Sequence, residues 1–187
     1  MKKIFSLILV FTLFTSFGTA HADQVVNADT LKNFLASMTE VKTIAEQMDE
    51  AGKDKIMQNS IAEVNGDFAP YTQAAQNLKT KYPQDYQKLE NVIYGHGFSS
   101  VKEWALTGDD LIVAYMTTKV TPEAKSAMEG MQNMSPDMMS MMPPQAKAAM
   151  KKGKAMLKAM KDVPPENIKL VNAHADEIEQ VMNEMKE

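Results

Sequence analysis

"DTLKNFLASMTEVKTIAEQMDEAG", residues 29 to 52, decides the fold class. Leu31, Phe34, Leu35, Met38, Val41, Ala45 and Met48 recur at steps of three and four, the spacing that lines one face of an α-helix, and polar residues fill the positions between. Gly52 stands where a left-handed cap would end such an element. A helix of this length must bury its apolar stripe against something. The rest of the chain offers further helices for that purpose and no alternating β-branched run that would read as a strand.

Outward from that stretch the same period continues. A second helical pattern runs over 54 to 64, stops at Asn65-Gly66 and resumes after Pro70 through Gln73, Ala74 and Leu78. Tyr82, Tyr86, Leu89 and Ile93 form another stripe, opened by Pro83 and closed by Gly95. Ser100 and Glu103 have capping-box spacing and open a helix whose inner face carries Val101, Trp104, Ile112 and Tyr115. Gly108-Asp109 stands where that helix would divide, if it divides at all.

Proline punctuates the second half. Thr121-Pro122-Glu123 and Ser135-Pro136-Asp137 place a capping hydroxyl before proline and an acid, the order expected at a helix start, and Pro143-Pro144 and Pro164-Pro165 serve similarly. The expected helices cover 122 to 133, 136 to 142, 144 to 161 and 165 to 186, the last with a break near Asn172. The expectation is an all-α, single-domain bundle of about six to eight helices, several short and proline-initiated, with a methionine-rich helical hairpin at about 122 to 161.

The first 22 residues read as a Sec-type signal peptide. Lys2 and Lys3 precede an apolar stretch from Ile4 to Phe17, and Ala20-His21-Ala22 supplies the small-x-small pattern that signal peptidase accepts. Cleavage after Ala22 would leave 165 of the 187 residues, enough for one well-buried domain, destined for the periplasm or secreted where no outer membrane exists. There is no cysteine, so stability in an oxidising compartment must come from packing. The whole chain carries 24 acids against 20 basic residues, none of them arginine. That composition argues against nucleic acid, whose phosphates and guanines favour the guanidinium fork.

Two features set residues 128 to 161 apart. The run "MEGMQNMSPDMMSMMPP" holds Met128, Met131, Met134, Met138, Met139, Met141 and Met142. Methionine at helical spacing is first of all packing material, yet it also makes adaptable contact surfaces, and the interspersed Gly, Asn, Ser and Asp suggest half-exposed elements. Thioethers are soft ligands as well, so Met131, Met134, Met138, Met141 and Met142 are candidates for Cu(I) or Ag(I), although no histidine or cysteine is interleaved with them. Beyond this stretch Lys147, Lys151, Lys154, Lys158 and Lys161 fall at steps of four and three and form one basic stripe beside Ala146, Ala149, Gly153, Leu157 and Met160. That helix would either lie on an anionic membrane or an acidic groove, or pair internally with the acid-rich segment 163 to 187. Internal pairing is the more economical expectation, because short connections join neighbours.

Catalytic signatures are missing from the sequence: there is no nucleophile elbow, phosphate loop, dinucleotide fingerprint or His-x-x-x-His. His96 in "YGHGF" sits between glycines in an expected turn and is the one residue around which a small hydrolase could be imagined, while His174 reads as structural. Asp109 and Asp110 read as capping acids before they read as a catalytic pair. The sequence thus points to a non-enzymatic, cofactor-free binding or chaperone-like module. Its expected contact residues are the seven methionines with Lys147, Lys151, Lys154 and Lys158, its expected partners a protein client or an anionic membrane surface. Cu(I) sequestration is the alternative.

Overall fold

A computed structural model describes residues 25–50, 67–132 and 141–185, and within them the chain is all helical. Eight helices follow one another among the described residues: α1 (Ala28–Glu50), α2 (Pro70–Lys81), α3 (Pro83–Gly95), α4 (Val101–Lys119), α5 (Pro122–Gln132), α6 (Pro144–Lys161), α7 (Pro165–Ala173) and α8 (Ala175–Glu184). The helical pattern expected over 54 to 64, and most of the one over 136 to 142, lie outside the described residues.

Helix α4 is the axis of the bundle. It packs against α1, α2, α3, α6 and α7, and nine of its residues are buried, including the polar Thr107 and Asp109. A helix surrounded in this way cannot present a single apolar stripe, and its apolar residues are accordingly spread around the cylinder. The helix is continuous through Gly108-Asp109 and does not divide there. Its start is capped as the sequence suggests, with the Glu103 amide donating to Ser100 Oγ at 3.1 Å. The reciprocal half of the capping box is displaced by one residue: Glu103 Oε2 accepts from the amide and the hydroxyl of Ser99 at 2.9 and 2.5 Å, so two hydrogen bonds tie the preceding turn down.

Proline sets the other helix starts. Pro70, Pro83, Pro144 and Pro165 occupy the first turns of α2, α3, α6 and α7, where a missing amide hydrogen costs nothing. Thr121 caps α5 by accepting from the Ala124 amide at 3.2 Å. The turn after α3 uses Gly97 at φ +83°, a backbone region that any Cβ disfavours. The last expected helix does break, at His174, whose Nδ1 lies 3.1 Å from Glu177 Oε2.

The core is built on α1. Leu31, Phe34, Met38, Val41, Ile44 and Met48 are buried along its inner face, against Leu89 and Ile93 of α3 and Trp104, Ala105 and Leu111 of α4. The N-terminal end of this layer is tied across the molecule, because the Val26 amide donates to Oδ1 of the fully buried Asn167 in α7 at 2.8 Å. Helices α5 and α6 lie against one another, and α6 also contacts α4.

Among the described residues, the ion pairs of the basic helix and of the acid-rich C-terminal segment run to other partners than expected. Lys158 pairs instead with Asp67 at 2.9 Å, while Glu179 pairs with Lys119 of α4 at 2.5 Å. The reason is competition for α4: α7 packs extensively on it, and α8 packs on α1, which takes the C-terminal acids away from α6.

Candidate functional site

Three aromatic rings converge where α1, α2 and α4 meet. Phe34 stacks on Trp104 with ring centroids 5.5 Å apart, and Tyr71 stands edge-on to both at 5.4 and 5.6 Å, arrangements that the ring quadrupoles favour. Gly108 makes the convergence possible. A Cβ there would lie 2.7 to 2.8 Å from ring carbons of Tyr71 and Phe34, closer than packed atoms approach. The Trp104 indole N–H donates to Ser37 Oγ at 2.9 Å, and the Ser37 hydroxyl donates to the Phe34 carbonyl at 2.6 Å, so the only tryptophan is held at its polar edge too.

Behind the rings stands Asp109. Its Oδ1 accepts from the Tyr71 amide at 2.7 Å and its Oδ2 from the Thr72 amide at 3.2 Å. Helix α2 has alanine at its own N-cap and no side-chain cap, so a carboxylate from α4 satisfies two of its orphan donors. The capping role expected of Asp109 is thus real, but it serves a neighbouring helix. Burial raises the Asp109 carboxyl to about 7; the hydrogen bonds from Thr72 and Tyr71 oppose that rise, and the charge of Asp110 adds to it. Asp110 is raised to about 6 by burial. The Tyr71 phenol is pushed up to about 12, by burial first and by the Asp109 charge second, and stays protonated at any physiological pH.

Next to this cluster α1, α2, α4 and α8 line a cavity of about 360 Å³ that opens to solvent. One wall is Leu31, Phe34, Leu35 and Met38 of α1; Tyr71 and Ala74 of α2 form a second. Leu111, Ile112 and Tyr115 of α4 form a third, Gly108 leaving a recess between them and the rings. The fourth wall is one face of the amphipathic α8, Ile178, Val181 and Met182, followed by Met185. Among the described residues that line it, no side chain is charged. At its edge the Tyr115 hydroxyl donates to Glu179 Oε1 at 3.4 Å, and the same oxygen accepts from Lys119. A void of this size and polarity falls in the range of small-molecule pockets, which run from about 300 to 1,000 Å³ and are mostly apolar.

Of the residues singled out from sequence, the structure locates some and brings few together. Met141 is 85% exposed and Met142 is half-buried; the side chains of Met128, Met131, Met134, Met138 and Met139 lie outside the described residues. Lys151 and Lys158 are exposed on α6, and Lys147 and Lys154 are half-buried. Among the described residues, neither Met141 and Met142 nor these lysines line the cavity. His96 Nε2 lies 2.8 Å from Glu40 Oε1 of α1, an ion-pair geometry that ties the turn after α3 to α1. Among the described residues no three His, Cys, Asp or Glu side chains gather as a metal site.

Sequence reasoning missed the cavity and two of the residues behind it, Ser37 and Tyr71; it gave Asp109 its capping role but not the helix it caps. One signal was available: a glycine inside an otherwise strong helix, at Gly108, marks either a break or a close approach, and the close approach is what the fold uses. The chain matches no family model, no curated protein and no solved structure.

Proposed function

We propose that this chain is a non-catalytic binding module that takes an apolar small molecule or hydrocarbon chain into the cavity between α1, α2, α4 and α8. The observation that carries this reading is the uncharged cavity of about 360 Å³ beside a rigid aromatic cluster. A solvent-accessible apolar recess of this size, bounded by methionine, leucine and tyrosine, is the kind of concavity that apolar ligands occupy. The Tyr115, Glu179 and Lys119 groups at the edge suit the polar end of an amphiphile. The order of basic, apolar and Ala-x-Ala segments over residues 1 to 22 supports export, so the module would meet its ligand outside the cytoplasm.

Trp104 supplies the test. As the sole tryptophan, stacked on a cavity wall, its emission reports occupancy. Titration with a medium-chain fatty acid or alcohol should change Trp104 emission saturably, and Ala74→Phe or Val181→Phe, which fill the void, should weaken binding by tenfold or more. Unchanged emission, or equal affinity in the filled variants, would overturn the proposal.

A second reading rests on Met141, whose side chain is the most exposed of the large apolar residues described. It supports a methionine-lined contact surface for a client, or a soft-metal site that includes Met141 and Met142. Cu(I) titration against a competing chelator separates the two, since Met→Leu replacement keeps bulk but removes the thioether.

A further inference from the structure

Helix α6 concentrates positive charge in an acidic protein. It carries six lysines, Lys147, Lys151, Lys152, Lys154, Lys158 and Lys161, and no acid. Removing those six from the 20 basic residues of the chain leaves 14 against 24 acids, so the molecule is strongly polarised. At 3.6 residues per turn, Lys147, Lys151, Lys154, Lys158 and Lys161 fall within an arc of about 80° and run along about 21 Å of the helix. Lys158 is held by Asp67, whereas Lys151, Lys152, Lys154 and Lys161 make no ion pair among the described residues. Two of the C-terminal acids that could have neutralised the stripe are committed elsewhere, Glu179 to Lys119 and Glu177 to His174.

We infer that the α6 stripe docks the protein on an anionic lipid surface. Charge complementarity is the argument. A straight row of point-like ammonium groups suits a fluid layer of identical headgroups, to which each lysine near the surface adds attraction without needing a fixed partner geometry. Recognition of a shaped acidic protein groove would favour the guanidinium fork, and the chain has no arginine. Just ahead of the stripe stands Met141, 85% exposed, an apolar side chain able to enter the headgroup layer beside lysine stems that are themselves apolar. The net negative charge of the remaining molecule turns the other faces away from the same surface and fixes the orientation. Among the described residues no helix is long and apolar enough to cross a membrane. This inference stands on α6 alone and does not depend on the cavity holding a ligand.

The test is co-sedimentation of the chain from Asp23, which contains every described helix, with vesicles of phosphatidylcholine alone or with 30% phosphatidylglycerol. The protein should pellet with the anionic vesicles at low ionic strength and be released by salt, because screening shortens the reach of exposed charges. K151E/K154E/K161E, folded by circular dichroism, should bind at least tenfold more weakly, while the matching Lys→Arg variant should bind as the parent does. Absence of binding to anionic vesicles overturns the inference. So does equal binding to neutral vesicles, which would mean capture through apolar contacts and not the stripe, or unchanged binding by the charge-reversed variant. Retention on a polyglutamate matrix without vesicle binding would assign the stripe to an acidic protein and likewise overturn it.

Discussion

Gly108 and Gly153 show how little residue type says without its surroundings. Both sit inside helices, where glycine is worse than alanine by about 1 kcal/mol. Nothing lies within 4 Å of a Cβ placed on Gly153, whereas one placed on Gly108 meets the rings of Tyr71 and Phe34 at 2.7 to 2.8 Å. Overpacking a fixed aromatic cluster costs about 1 to 3 kcal/mol, more than the propensity gain can offset. Gly153→Ala should therefore raise the melting temperature by roughly 2 to 4 °C, in keeping with about 1 kcal/mol in a chain of this size, and Gly108→Ala should lower it. Paired thermal melts check this. A rise for both variants would mean that the rings yield and that the recess in the cavity is not held open by packing.

Helix α2 depends on a residue from another helix. Its first turn has no cap of its own, and Asp109 of α4 supplies the acceptors for the Tyr71 and Thr72 amides. Burial nevertheless raises the Asp109 carboxyl from its ordinary 3.8 to about 7, so desolvation of the charge outweighs the hydrogen bonds it accepts. The linkage has a definite sign. A carboxyl that binds its proton more tightly when folded stabilises the fold fully below its ordinary pKa, and that contribution is lost as pH rises through about 7. Asp110, raised to about 6, acts in the same direction. Urea unfolding should thus show stability declining between about pH 4 and 7, with the decline made shallower by Asp109→Asn. Asp109→Ala, which strands two amides, should cost about 1 to 3 kcal/mol at any pH in this window. A slope unaffected by Asp109→Asn would contradict this account of the carboxyl.

At the scale of the molecule, what the sequence made legible was periodic and local. Proline before an amphipathic run gave the starts of α2, α3, α5, α6 and α7 at the residues where they occur, and the step-of-three-and-four pattern of α1 gave its buried face. What escaped was set by contacts distant in sequence: the 67-residue separation between Ser37 and Trp104, the 38 between Tyr71 and Asp109. Periodicity assigns a residue to a face but not to a neighbour, so it could not foresee that α8 would close a cavity instead of pairing with α6. The cavity needs four helices from across the chain, and that non-local assembly explains why methionines and lysines drew attention first.

The central claim is that this cavity binds an apolar ligand, and calorimetric titration of the chain from Asp23 with a medium-chain alcohol at two temperatures tests it most directly. Burial of apolar surface carries a negative heat-capacity change. The account predicts saturable binding of one ligand per chain, a negative heat-capacity change, and loss of both in Val181→Phe. Heats of dilution alone, or the same binding isotherm in the filled variant, would contradict it.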